Sequence, residues 1–112
     1  EYQGMWLPLL GLIAGIALGV ISGLTIPQEY ARYTAVAVLA ALDSVIGATR
    51  ATIEKSYRNR IFLSGLFGNT ALAIALTFLG DRLGIDLYIA AVVAFGLRLF
   101  QNISRIRQAL IG

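Results

Sequence analysis

Residues 6–26 read WLPLLGLIAGIALGVISGLTI, an apolar run without a charged side chain. As an α-helix, a run of about 20 residues matches the ~30 Å hydrocarbon core of a bilayer. Similar runs follow at 33–53, 61–79 and 87–106, and none alternates with the period of two that is typical of strands. The sequence therefore predicts an all-α, polytopic membrane protein, a bundle of four transmembrane helices at about 6–26, 30–54, 61–79 and 86–110.

The composition leads to the same class of protein. The chain is 58% hydrophobic and 13% charged, whereas ordinary soluble domains are about 45–50% apolar and about 25% charged. A domain of 12.0 kDa buries too little of its surface to hide that excess. We therefore expect lipid to cover the remainder, which makes a soluble enzyme or a disordered chain improbable on composition alone.

The sequence lacks most of the side chains on which enzymatic catalysis usually depends. It contains neither cysteine nor histidine, so it has no disulfide, no thiolate metal site and no imidazole base. The serine and threonine hydroxyls have no histidine to activate them, and no lysine lies within an apolar run. We predict no catalytic residue, no metal site and no cofactor, and hence a protein that is not an enzyme.

The boundaries of the domain follow from the same runs. Residues 1–4 are polar and precede Met5, so we interpret them as a remnant of expression and Met5 as the natural start. We expect residues 5–112 to form a single membrane domain.

The positive charges predict the orientation. The net charge is +3, and basic residues concentrate in the second gap and at the C-terminal end, where the positive-inside rule places the cytoplasm. We expect a multi-pass protein of the plasma membrane with both termini cytoplasmic, and with Trp6 and Tyr57 at the inner boundary. The residues of this cytoplasmic basic surface are Lys55, Arg58, Arg60, Arg105 and Arg107.

The basic surface has two interpretations. Its residues could determine topology alone, or they could bind anionic lipid headgroups or an acidic partner. Because these charges lie in short gaps between apolar runs, we expect no binding to nucleic acid.

A ladder of glycines runs along the first apolar segment. Gly11, Gly15, Gly19 and Gly23 are four residues apart and therefore share one face of a helix. Such a face allows another helix to approach closely, as in small-xxx-small packing within membranes. The partner could be another helix of the same chain, a second copy in a homo-oligomer, or a different protein.

Polar side chains interrupt the other runs at similar depth. Asp43, Asn69 and Arg98 each lie ten or eleven residues from the predicted outer boundary, or roughly 15 Å deep. A charge at that depth is costly unless it is paired, so we expect an Asp43–Arg98 ion pair with Asn69 beside it. Arg50 and Asn102 continue the two polar faces at helical spacing and complete this intramembrane polar cluster.

The polar cluster could serve structure or transport. An ion pair can fix the register between two helices, whereas ionisable groups within a membrane often mark the path of a proton or ion. A carboxylate beside a guanidinium stays ionised, which favours the structural interpretation.

Several segments together resemble a known family. They are residues 5–11 (MWLPLLG), 26–35 (IPQEYARYTA), 40–44 (AALDS), 79–84 (LGDRLG) and 94–102 (AFGLRLFQN). In this order they resemble the small basic protein family of Gram-positive bacteria. The resemblance implies a small integral membrane protein, often encoded beside cell-division and envelope genes and beside single-pass membrane proteins. It implies no enzymatic activity and no catalytic residue.

These observations lead to two hypotheses about function. The first is a non-catalytic protein that assembles or scaffolds a membrane complex associated with the envelope or cell division, as a homo-oligomer or with a single-pass partner. The alternative is a small oligomeric transporter or ion channel that uses the polar cluster.

Overall fold

A computed structural model describes residues 6–111, and all regular structure in this range is helical. The predicted all-α bundle is confirmed. The interpretation of residues 1–4 and Met5 lies outside the described residues. The elements are α1 (Trp6–Ser22), a short 3-10 helix (Gln28–Tyr30), α2 (Ala31–Ile53), α3 (Asn59–Leu83) and α4 (Tyr88–Ile111).

Three of the helical segments are long and apolar enough to cross a membrane. They are Gln28–Ile53, Asn59–Leu83 and Tyr88–Ile111. Helix α1 has 17 residues, which gives it a length of about 26 Å. It is therefore an apolar helix slightly shorter than a typical hydrocarbon core.

Two helices end where the local backbone chemistry stops them rather than where the apolar run stops. Helix α1 ends at Ser22, four residues before the predicted end, because Gly23 adopts a left-handed conformation with φ of 65°. The Ser22 hydroxyl also accepts a hydrogen bond from the backbone N–H of Leu24 at 3.3 Å. Helix α3 continues past Gly80 to Leu83, and Gly84, with φ of 73°, ends it.

Helix α2 is the centre of the bundle and packs against both α3 and α4, which pack more lightly on each other. The small core lies at these contacts and is formed by Val36, Ala40, Ala73, Ala91 and Phe95. Three of these five are alanines, so the helix axes can approach closely where they cross.

Pairs of contacting residues show the helix directions. Arg32 near the start of α2 contacts Asp86 just before α4, and Asp43 farther along α2 contacts Arg98 farther along α4. Helices α2 and α4 therefore run parallel. Arg32 also contacts Asp81 near the end of α3, so α3 runs antiparallel to both. The ends of α2 and α4 thus lie together with the α2–α3 loop, at what we call the basic end of the bundle.

Helix α1 has little contact with the rest. It packs sparsely against α2, and Pro8 is its one buried residue. Most of its large apolar side chains are exposed, for example Val20 at 77% and Ile21 at 80%.

Candidate functional site

The deepest polar contact joins α2 and α4. Nη2 of Arg98 lies 3.2 Å from Oδ2 of Asp43, the ion pair that the sequence predicts. The Asp43 side chain is fully buried, whereas that of Arg98 is 53% exposed. The pair therefore presents a guanidinium to the surroundings and hides its carboxylate.

A second polar layer lies one to two turns nearer the basic end. Arg50 donates a hydrogen bond from Nη1 to Oδ1 of Asn102 at 3.0 Å and lies 3.3 Å from Glu54 through Nε. Gly47 lies between the layers, and a Cβ there would be 3.6 Å from Nδ2 of Asn102. The polar faces predicted on α2 and α4 therefore contact each other at two successive levels, because the two helices run parallel.

A cavity of about 450 Å³ opens along these polar faces. Residues of α2, α3, α4 and the α2–α3 loop line it, and Asn69 of α3 is among them together with Asp43, Arg50, Arg98 and Asn102. The structure thus brings all five residues of the predicted polar cluster to one cavity. Glu54, one turn beyond Arg50 on the same face of α2, also lines the cavity, as do residues that sequence reasoning did not assign to this site: Ser44, Ser56, Tyr57, Arg58 and Gln101.

The Asp43 carboxylate lacks the hydrogen bonds that a buried anion requires. Within residues 6–111, neither Oδ1 nor Oδ2 accepts a hydrogen bond. The Arg98 contact has the distance of an ion pair but lacks hydrogen-bond geometry. Buried polar atoms in proteins are almost always hydrogen-bonded, so among residues 6–111 the charge of Arg98 is what stabilises this carboxylate.

The glycine ladder faces open space. A Cβ built on Gly11, Gly15, Gly19 or Gly23 would meet no heavy atom within 4 Å among the described residues. Among residues 6–111, the ladder is therefore not a packing face. Gly23, the last of the four, follows the helix and ends it.

The five residues of the predicted basic surface do lie at one end of the bundle, and all five are exposed. Lys55, Arg58 and Arg60 lie around the α2–α3 loop, and Arg105 and Arg107 lie near the end of α4. Tyr57 behaves differently from the prediction. It is 1% exposed and so does not present its ring to lipid; the ring lies 6.4 Å from that of Phe62, and the hydroxyl donates to Oδ1 of Asn59 at 2.6 Å. Burial raises the pKa of the Tyr57 phenol.

The opposite end carries an ion cluster that sequence reasoning missed. Arg32 lies 3.4 Å from Asp81 and 3.1 Å from Asp86, and the Tyr33 hydroxyl donates to Asp81 at 2.9 Å. The Arg32 guanidinium also lies 5.0 Å from the centre of the Tyr88 ring. The helix order and directions bring these residues together, and no local spacing in the sequence marks them.

The described part of the chain offers no recognisable metal site. Over residues 6–111, no three acidic side chains gather into a group that could hold a metal ion. The donors at the cavity are instead guanidiniums, amides and hydroxyls around one buried carboxylate. This arrangement suits recognition of a charged group by hydrogen bonds and ion pairs.

Comparisons with known proteins give consistent relatives. Residues 26–111 match the model of a family described as "Protein of unknown function (DUF1290)". The chain is 56% identical over 107 residues to the "Small basic protein" of Bacillus subtilis. This alignment covers 96% of the present chain and 88% of the relative. The chain is also 34% identical over 106 residues to an uncharacterized protein of Mycobacterium tuberculosis. That alignment covers 89% of the present chain and 88% of the relative. No solved structure matches significantly.

Proposed function

This chain belongs to the small basic protein family, and we propose that it assembles or scaffolds a membrane complex associated with the cell envelope or cell division. The proposed role is non-catalytic and depends on helix–helix contacts. The observation that carries it is the open glycine ladder of α1, which meets nothing within 4 Å. A helix held so lightly by its own bundle leaves a flat face for a second membrane helix.

The proposed partners follow from that face and from the charges. The ladder is available to a second copy of the chain or to a single-pass membrane protein. The exposed basic surface suits anionic headgroups, at about 1 kcal/mol for each basic residue near a charged leaflet. By the positive-inside rule, the proposal places this surface and both termini on the cytoplasmic side of the plasma membrane.

Extraction in mild detergent followed by co-purification tests the proposal. We expect a discrete complex, either a homo-oligomer or an assembly with a single-pass protein, and we expect Gly15→Leu and Gly19→Leu to dissociate it. Ala17→Leu is the matched control, because Ala17 lies on the opposite face of α1. An unchanged complex in both glycine variants would contradict a role for the ladder.

A second candidate function is that of a small oligomeric transporter or ion channel. The specific observation in its favour is the cavity, which extends from the basic end to the buried Asp43. Reconstituted in liposomes, a transporter would give a flux driven by a pH or ion gradient. Loss of that flux in Asp43→Asn, but not in Asp81→Asn at the opposite end, would favour transport over assembly.

A further inference from the structure

Three polar side chains near the middle of the bundle have hydrogen-bonding groups that the chain itself does not use. Asn69 and Arg98 lie near the middle of α3 and α4, and Gln101 lies one turn beyond Arg98. All three line the cavity. Among residues 6–111, Arg98 makes no polar contact besides its ion pair with Asp43, and the two side-chain amides form no hydrogen bond.

Lipid chains cannot supply the missing partners. The helices that carry these side chains are long and apolar enough to cross a membrane, and in the hydrocarbon no water replaces a missing hydrogen-bond partner. The Arg98 side chain is 53% exposed, so its guanidinium faces the surroundings as well as Asp43. Polar side chains within membrane spans face protein or a water-filled cavity. The cavity at this depth therefore requires an occupant with polar groups.

The chemistry of the three side chains indicates an uncharged occupant. Asp43 already balances the charge of Arg98, so the guanidinium lacks acceptors rather than a counter-ion. A carboxamide supplies an acceptor oxygen to Arg98 and has two donors of its own, which the amide oxygens of Asn69 and Gln101 can accept. A carboxylate has no donor for those oxygens and would bring a second negative charge close to Asp43.

The shape of the cavity suits one helix of another protein. A concave site of about 450 Å³ accommodates the side chains on one face of a helix. Gly65 lines it, and a Cβ there would meet no heavy atom within 4 Å, so another backbone can approach closely. A second copy that docked symmetrically would place one concave site against another. Helix α1 of a second copy is largely free to dock, but it contains no carboxamide.

We propose that the cavity binds a transmembrane helix of another protein that carries Asn or Gln near its middle. The carboxamide oxygen accepts from Arg98, and the amide nitrogen donates to Asn69 and Gln101. The inference rests on the proposed assembly role and adds a second contact face to it. Because the ladder of α1 stays intact in every variant of the test, either idea can fail alone.

A synthetic helix tests the site in liposomes. Because the chain has no cysteine, one introduced thiol reports contact, and Gly65→Cys places it in the cavity one turn from Asn69. The probe is a leucine–alanine peptide of about 20 residues with lysines at its ends, Asn at its centre and Cys one turn to either side. With copper phenanthroline as oxidant, we expect the disulfide to form about tenfold faster with this peptide than with one that has Leu at its centre.

Gly68→Cys is the matched control. Gly68 lies on the same helix, and a Cβ there also meets nothing within 4 Å, but the residue does not line the cavity. We expect its thiol to react at one low rate with both peptides. An equal advantage of the Asn peptide at Gly68→Cys would indicate general association of polar helices and would overturn the proposal. Equal rates of the two peptides at Gly65→Cys would overturn it as well.

Substitutions at Asn69 connect the rate to the side chains. Asn69→Leu, made in the Gly65→Cys chain, removes an amide without a hydrogen bond among residues 6–111, so we expect the fold to be unchanged. The advantage of the Asn peptide should fall about threefold, the average effect of one hydrogen bond between membrane helices. Asn69→Gln should restore it. An unchanged advantage in Asn69→Leu would contradict the proposed contact.

Two further results would assign the cavity to a different occupant and overturn the proposal. A peptide with Asp at its centre that reacts faster than the Asn peptide would indicate an acidic helix. Disulfide-linked dimers of the Gly65→Cys chain that form faster than the adduct with the Asn peptide would indicate a second copy.

Discussion

Helix α1 and the three-helix unit α2–α4 differ in how they are held, although both are apolar. Helix α1 is the more hydrophobic, yet Pro8 is its one buried residue. Helices α2 to α4 contain the charges and amides, and they pack together through small residues and polar contacts. Hydrophobicity therefore does not decide which helices pack.

The reason lies in the solvent. Lipid chains are as apolar as leucine, so burying an apolar face against another helix gains little in a membrane. The association of helices in a membrane then depends on close packing at small residues and on polar contacts between helices. The family model matches residues 26–111, which contain the three-helix unit α2–α4, whereas the similarity to the Bacillus subtilis relative covers 96% of the chain and so includes most of α1.

The largest effect is expected where the polar contacts are deepest. Arg98→Leu leaves the fully buried Asp43 without its charge partner, and we expect it to lower the free energy of unfolding by about 3–5 kcal/mol. Asp43→Ala should cost less, because Arg98 is half exposed and can turn toward the cavity. The free energy of unfolding of each variant is measured in mixed micelles by increasing the fraction of dodecyl sulfate.

The double variant provides the control for this pair. Asp43→Ala with Arg98→Leu removes both charges and should recover much of the stability lost in Arg98→Leu. A double variant no more stable than Arg98→Leu would mean that the two charges do not stabilise each other.

The ion pair was predictable because depth is a property of the sequence. Counting residues from the outer boundary places Asp43 and Arg98 at the same level, and parallel helices can then pair them. The outer cluster of Arg32 with Asp81 and Asp86 was not predictable in this way, because it depends on which helices are neighbours. The burial of Tyr57 depends on the path of the loop, for which the sequence has no periodic signal.

A smaller effect is expected where α3 turns toward α4. A Cβ on Gly80 would lie 2.5 Å from the backbone oxygen of Ile85 and 3.0 Å from the backbone nitrogen of Leu87. Backbone atoms of a tight turn cannot move aside cheaply, so we expect Gly80→Ala to destabilise the protein by about 1–3 kcal/mol. The same micelle titration gives the value.

Gly68→Ala is the matched control for Gly80, because it lies in the same helix and a Cβ there meets nothing within 4 Å. It should be neutral or slightly stabilising. If both variants lost the same amount of stability, the close approach at Gly80 would not be the cause of the destabilisation in Gly80→Ala.

The sequence could not distinguish these glycines. A run of four glycines marks the ladder in α1, yet those residues meet nothing within 4 Å among the described residues, whereas Gly80, with only Gly84 at the same spacing, makes the closest approach of the described glycines. The sequence predicts that the third helix ends at about residue 79, just before Gly80, but the helix continues to Leu83 and Gly84 ends it. Repetition indicates that a face is smooth, and only the fold shows whether another helix lies on it.

The smallest effect, with the opposite sign, is expected in α1. Gly15 lies within the helix and faces open space, so Gly15→Ala should raise the stability of the monomer by about 0.5–1 kcal/mol through reduced backbone entropy in the unfolded chain. The measurement is the micelle titration on a fraction shown to be monomeric by light scattering. A loss of stability in that monomer would mean that α1 packs on its own bundle, and the ladder would then be an internal contact instead of a free face.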